Sequence, residues 1–215
     1  MPRPSIAYVD EQPDERDNFF GDAYDSGLFE EIHLIAPNPD IDVTLAELKE
    51  LKIEALVTDF NLSAAGPLGY SGEELVARFL RIRNEFPCFI RTSWEEDALR
   101  TSADVNRVYS KNARQDERAG RTLFHRIELQ IQHYKKQIDR WRFELDELMA
   151  IEPAKRNAAH VEQILELDGK LESSIGDDMG LPKDVKKSLF DVRDSLLEET
   201  ELLVTEMKRA LDDKD

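Results

Sequence analysis

The sequence predicts a doubly wound parallel α/β sheet followed by an all-helical extension. Strand and helix signals alternate five times between residues 5 and 111. Prolines and glycines punctuate those signals at the places where such elements end. Strand signals then stop at about residue 117, and apolar residues recur with helical spacing to the end of the chain. Alternating β and α segments build a parallel sheet with helices on both faces.

Ile6–Val9 is an unbroken apolar run, as a strand buried on both faces requires. Pro13 opens a helix over about 14–26, with Phe19, Phe20 and Tyr24 on it and Gly27 near its end. Ile32–Ala36 is the second strand, stopped by Pro37 and Pro39. Thr44-Leu-Ala-Glu47 has the form of a capping box and predicts a short helix from Thr44. Ala55–Val57 is the third strand, running out through Thr58 and Asp59. Ser71-Gly-Glu-Glu74 is a second capping box, for a helix reaching about Phe86, where Pro87 ends it. Phe89 and Ile90 form the fourth strand, residues 94–104 a weak polar helix, and Arg107–Ser110 the fifth strand.

Beyond residue 118 the pattern changes, which sets domains of 1–118 and 119–215. A long helix is expected over about 117–150, with further helices over about 155–175 and 183–212. Ile127, Ile131, Tyr134, Ile138, Trp141, Leu145 and Leu148 alternate spacings of four and three, a heptad seam. Pro153 interrupts it. Gly176, Gly180 and Pro182 mark a turn, and Val185, Leu189, Val192 and Leu196 continue a stripe that Glu199 breaks. A bare seam would expose a large apolar patch, so it calls for cover by the later helices or by a second chain. A homodimer is one expected outcome, and an effector-binding surface on the tail is another.

Composition narrows the function. The formal net charge is −17 over 215 residues. A phosphate backbone needs a basic footprint, so no nucleic-acid binding is expected. No apolar run reaches the length of about 18 residues that would span a membrane, and no membrane association is expected. Acids at 10, 11, 14, 15 and 17 interrupt any secretory apolar core. A cytoplasmic protein is expected. Cys88 is the sole cysteine, sits in an apolar run, and reads as a core residue.

The ends of the strands carry the chemistry. Asp10-Glu11 follows the first strand, Asp59 ends the third, Thr92-Ser93 the fourth, and Lys111 the fifth. A parallel sheet gathers such residues at its carboxyl edge. Neighbouring carboxylates repel one another, and a hard divalent cation such as Mg²⁺ relieves this through oxygen ligands. Asp10, Glu11 and Asp59 supply these, with the main-chain carbonyl of Asn61 as a further ligand. A carboxylate so neutralised can attack a phosphoryl donor and form an acyl phosphate. Lys111 would pair with a phosphoryl oxygen and Thr92 would donate to another.

In these residues the first half of the chain resembles the receiver domain of two-component response regulators. The resemblance covers residues 4–120 and rests on Val-Asp-Glu at 9–11, Val-Thr-Asp at 57–59, Arg-Thr-Ser at 91–93 and Ser-Lys at 110–111. It implies a flavodoxin-like sheet of order 2-1-3-4-5. It implies Asp59 as phosphoacceptor, Asp10 and Glu11 as metal-site acids, Thr92 as switch hydroxyl and Lys111 as phosphate-pairing lysine. It also implies a histidine kinase as partner, and a phosphoprotein rather than an enzyme.

Three features depart from that pattern. Asn112 stands where the family has proline after the lysine. Val108 stands where it has an aromatic, with Tyr109 one residue later. The segment Leu62–Ser71 is longer than the usual loop. They put the coupling of Thr92 to a buried aromatic in question. Plainer readings exist: Asp59 as a turn cap, Asp10-Glu11 as acids for a helix dipole, Thr92 as a helix cap, Lys111 as a surface lysine. The changes around Lys111 and Tyr109 motivate an alternative, a receiver-like scaffold that works by protein contacts without phosphorylation. A phosphatase of the haloacid-dehalogenase type would need Asp at position 61, which is Asn.

Overall fold

In a computed structural model of the protein, the described residues are 2–62, 69–101, 104–111, 123–175 and 184–188, with a few positions between 200 and 209. The chain divides into two compact units, Met1–Gln137 and Ile138–Asp215.

The first unit contains β1 (Ile6–Val9), α1 (Pro13–Asp25), β2 (Ile32–Ile35), α2 (Ile41–Glu50), β3 (Ala55–Asp59), α3 (Gly72–Ile82), β4 (Cys88–Thr92), α4 (Glu95–Thr101) and β5 (Val108–Ser110). The strands form one five-stranded sheet in the order β2-β1-β3-β4-β5, and all four pairings are parallel. This is the flavodoxin-like arrangement, in which the chain reverses direction across the sheet between β1 and β3. The strand ends at that reversal are where the acids stand.

Local chemistry explains the helix starts. Ser71 accepts a hydrogen bond from the Glu74 N–H at 3.2 Å, so the second capping box begins α3 as expected. The first does not. Asp40 caps α2 by accepting from the Asp42 N–H. Thr44 lies inside that helix, buried, where its hydroxyl accepts from the Asn38 N–H and meets the Tyr70 hydroxyl. An earlier cap and a tertiary contact outcompeted the local motif. Similarly α3 stops at Ile82, ahead of the expected Phe86. The Phe86 ring packs edge-on against Phe79 at 5.3 Å and under the Arg83 guanidinium at 4.0 Å.

On one face of the sheet Tyr8, Phe19, Phe29, Val57 and Phe89 form a core cluster that includes Phe124, Ile127 and Ile131. Those last three belong to α5 (Leu123–Ala150). This corrects one expectation. The heptad seam is not one stripe awaiting cover, because Ile127, Ile131 and Tyr134 are buried within the first unit, which runs to Gln137. Each of those side chains gains about 2 kcal/mol on burial. Tyr134 also donates to the Asn84 carbonyl at 3.2 Å, and Lys135 pairs with Glu54 at 2.7 Å.

In the second unit, Trp141 on α5 is 3% exposed, and α6 (Ala158–Ile175) buries Ile164, Leu165 and Leu167. The Lys170 ammonium lies 5.8 Å from the centre of the Trp141 ring. Carbonyls of Met149 and Ile151, orphaned where α5 ends, receive the Arg156 guanidinium. Lys186 pairs with Asp168 and with Glu172. The expected last helix over 183–212 falls mostly outside the described residues, of which 184–188 are helical. Among the described residues, no helix is long and apolar enough to cross a membrane.

Candidate functional site

Parallel register brings the candidate residues to one edge. Val9 is opposite Thr58, Asp59 opposite Arg91, and Thr92 opposite Ser110. Asp10, one residue beyond β1, therefore stands beside Asp59, and Lys111, one beyond β5, stands past Thr92. The Lys111 N–H donates to the Thr92 carbonyl at 2.7 Å, which carries the β4–β5 ladder one step further.

The Lys111 ammonium crosses over β4 to the acids. Its Nζ lies 2.9 Å from Asp10 Oδ2, 2.9 Å from Asp59 Oδ1 and 3.3 Å from Glu15 Oε2. The reading of Lys111 as a solvated surface lysine is thereby overturned, since its side chain is 8% exposed. Asp59 Oδ2 accepts from the Asn61 N–H at 3.0 Å. Asp10 Oδ1 accepts from the Gln12 N–H at 2.9 Å, and Asp10 Oδ2 from the Tyr8 hydroxyl at 2.6 Å.

Burial governs the electrostatics. It raises the Asp59 carboxyl above the ordinary aspartate value, and the hydrogen bond from Lys111 recovers only part of that shift. Burial likewise raises the Glu11 carboxyl, with the charges of Asp10 and Asp59 adding to it. For Lys111 burial works against the ammonium, yet the bonds to Asp10 and Asp59 win and the net shift is upward. Lys111 thus stays a cation across neutral pH.

A small cavity of about 50 Å³ opens at this edge, lined by Gln12, Asp59, Asn61, Ser93, Trp94 and Lys111. Thr92 is fully buried and does not line it. Its hydroxyl accepts from the Trp94 N–H at 3.0 Å, the capping role that the sequence also allowed. Tyr109 turns away from the cavity toward the core, tilted against Phe89 at 5.8 Å and beneath Arg126 at 5.6 Å. Asn112 and residues 63–68, which carry two of the departures from the receiver pattern, lie outside the described residues.

The donor chemistry suits a hard cation, being carboxylate and carbonyl oxygen throughout. Glu11 Oε2 is buried and has no hydrogen-bond partner, the kind of orphan that a cation or its water would satisfy. Against this, no group of three His, Cys, Asp or Glu side chains is assembled to hold a metal among the described residues. Lys111 itself supplies the counter-charge between Asp10 and Asp59.

Three participants escaped the sequence reading. Glu15, in the first turn of α1, is the third carboxylate on Lys111. Its only sequence signal was acid near a helix start. Tyr8 looked like one more apolar strand residue. Gly72 begins α3 so close to β3 that a Cβ there would lie 1.8 Å from the Asp59 carbonyl oxygen. Only glycine lets α3 start this close to β3.

No known protein family profile matches the chain, and no curated protein matches it by sequence. Solved structures similar to it include response regulators and their receiver domains. The anti-anti-sigma factor PhyR from Bartonella quintana is 12% identical with a TM-score of 0.46, over 65% of this chain and 51% of that one. The response regulator StyR is 17% identical with a TM-score of 0.47, over 86% and 87%. A transiently phosphorylated "switch" in bacterial signal transduction is 18% identical with a TM-score of 0.43, over 63% and 99%. The chain spans about half the length of the PhyR chain. The fold rests on the order and direction of the strands themselves, and it is the flavodoxin-like fold of receiver domains.

Proposed function

We propose that the protein is a response-regulator-like phosphoacceptor, taking a phosphoryl group on Asp59 from the phosphohistidine of a histidine kinase. The supporting observation is the Lys111 ammonium held 2.9 Å from both Asp59 and Asp10 beside a cavity at the carboxyl ends of parallel strands. In the transfer, an Asp59 carboxylate oxygen forms the new P–O bond as the P–N bond of the donor breaks. The departing imidazole keeps the electron pair and leaves neutral, having been protonated on its other nitrogen. Lys111 then follows the charge from the carboxylate to a phosphoryl oxygen. Ser93, which lines the cavity, and Thr92, once its bond to the Trp94 N–H is released, are the hydroxyls available to a second oxygen. Mg²⁺, held by Glu11 and Asp59 with Asp10 and the Asn61 carbonyl, would neutralise charge on the incoming group.

Protein contacts of the second unit would carry the output, to an effector or to a second copy of the chain. Whether the transfer signals or drains phosphate from a kinase is decided by those contacts. The test is incubation with acetyl phosphate with and without Mg²⁺, read by phosphate-affinity electrophoresis. A Mg²⁺-dependent shifted band is expected.

A second reading, a receiver-like scaffold that is not phosphorylated, is favoured by one observation. Tyr109 packs on Phe89 and Val108 occupies the family's aromatic position, so β5 sets Ser110 rather than an aromatic residue opposite Thr92. An unshifted band at every donor concentration would favour that reading.

A further inference from the structure

A larger cavity, of about 370 Å³, lies in the first unit toward the amino ends of β4 and β5, away from the strand ends that carry Asp59 and Lys111. Cavities that hold small molecules begin at about 300 Å³. Phe86, Cys88 and Phe89, each no more than 5% exposed, give it an apolar wall. The α5 helix supplies Arg126, Leu129, Gln130 and His133 to the lining. Their spacing of i, i+3, i+4 and i+7 puts them on one face of the helix, beside the stripe of Ile127, Ile131 and Tyr134 that enters the core.

Charge is unevenly placed along this cavity. Asp104 and Arg107, both in its lining, neutralise each other at 3.1 Å. The Arg126 guanidinium stands over the Tyr109 ring at 5.6 Å. The side chains of Arg126, Gln130 and His133 have no hydrogen bond or ion pair among the described residues. The available cation is therefore at the Tyr109 end. From Arg126 to His133 the helix rises about 10 Å. At that far end the Tyr134 hydroxyl donates to the Asn84 carbonyl, the residue before Glu85. Glu85 also lines the cavity, and its carboxylate is likewise unpaired among the described residues. Its backbone is left-handed at φ 58°, a conformation that a residue with a side chain keeps only where its surroundings impose it.

We propose that this cavity binds a small organic monocarboxylate with a flat apolar body. The carboxylate pairs with the Arg126 guanidinium, a planar fork of donors that matches it, and Gln130, one turn along, is a further donor. The apolar body lies against the Tyr109 and Phe89 rings, which pack on each other at 5.8 Å. Glu85 at the far end repels a second negative charge, so a dicarboxylate long enough to reach it is disfavoured. None of these residues belongs to the Asp59 cluster, and the proposal does not depend on phosphoryl transfer.

The experiment titrates the full chain with benzoate, phenylacetate and 3-phenylpropionate, followed by the backbone amide resonances of Tyr109, Leu129 and Gln130. Saturable shifts at these amides are expected with at least one of the acids, while the Asn61 amide stays in place. The neutral primary amide of the same acid should bind wild type more weakly, a comparison that needs no variant. Arg126 is exposed, so Arg126→Met has no reason to unfold the chain. It should weaken the acid about 10-fold or more, the scale of a hydrogen bond to a charged group, and leave the neutral amide unchanged. A second carboxylate at the para position of the ring should weaken binding to wild type, and Glu85→Gln should recover it. No saturable shift with any of the acids overturns the proposal. So does a neutral amide that binds as tightly as its acid, or an acid that binds Arg126→Met as tightly as wild type. A diacid that binds wild type as tightly as the monoacid overturns the monocarboxylate assignment.

Discussion

Lys111 Nζ and Asp59 Oδ1 lie 2.9 Å apart although Asp59 ends β3 and Lys111 follows β5, with β4 between the two strands. The pair exists because β5 carries the lysine one residue past its last ladder position and Asp10 draws the ammonium across. It is also enclosed, since both side chains are 8% exposed. A buried pair of this kind adds little net stability, but breaking it leaves a charge uncompensated.

Lys111→Met should therefore destabilise the first unit by about 3 kcal/mol, because Asp10 and Asp59 lose their shared cation. Urea unfolding of variant and wild type at neutral pH measures it. The pH dependence has a definite sign. The Lys111 value is raised in the fold, so its contribution is fully present below the ordinary lysine range and lost as pH rises through the folded value. The wild-type advantage should shrink in strong alkali.

Asp59→Asn should have the opposite effect and stabilise the fold by roughly 1 kcal/mol at neutral pH. Burial raises the Asp59 carboxyl, so the ionised form that is present at neutral pH costs stability. Lowering the pH through the raised value toward the ordinary aspartate value protonates the native carboxyl and removes that cost. Thermal melts should show the gain of Asp59→Asn at pH 7 and its disappearance in acid. Equal melting temperatures at pH 7 would contradict the burial argument.

Gly72→Ala should disturb the end of β3 directly. A Cβ at 1.8 Å from the Asp59 carbonyl oxygen cannot be accommodated without moving α3 or β3. We expect a loss of about 2 kcal/mol or more and displaced amide resonances at Asp59 and Asn61. A variant with wild-type melting and unshifted resonances would show that the two backbones are not in close approach.

Ile127→Ala and Trp141→Ala should act on different units. Ile127 is fully buried in the sheet core and its truncation should cost about 2–5 kcal/mol there. Trp141, 3% exposed, should cost about 3–5 kcal/mol in the second unit. Hydrogen exchange resolves the two: Ile127→Ala should lower protection in β1 and β3, and Trp141→Ala in α6. Loss in the same segments from both variants would restore the single-seam reading.

The sheet was legible because its strands are short apolar runs that end in chemistry and are separated by proline and glycine. Asp10, Asp59, Thr92 and Lys111 could be placed at one edge because a parallel sheet leaves them nowhere else to go. Other features were not legible, for physical reasons. The heptad spacing of Ile127, Ile131 and Tyr134 is what any helix covering a sheet displays, so periodicity alone could not say which surface they meet. Thr44 looked like a cap because local motifs carry no information about Tyr70, which occupies its hydroxyl. Tyr8 joined the site through a hydrogen bond and Glu15 through an ion pair, neither of which sequence spacing encodes. Ser93, rather than Thr92, faces the cavity because the Trp94 N–H takes the Thr92 hydroxyl.

The most direct test of the account is to map the acyl phosphate itself. The full chain is treated with acetyl phosphate and Mg²⁺, trapped with borohydride, digested and sequenced by mass spectrometry. The account predicts one reduced residue, at Asp59, absent when Mg²⁺ is chelated and absent in Asp59→Asn. Trapping at another carboxylate, or none while a known receiver domain labels in parallel, would contradict it.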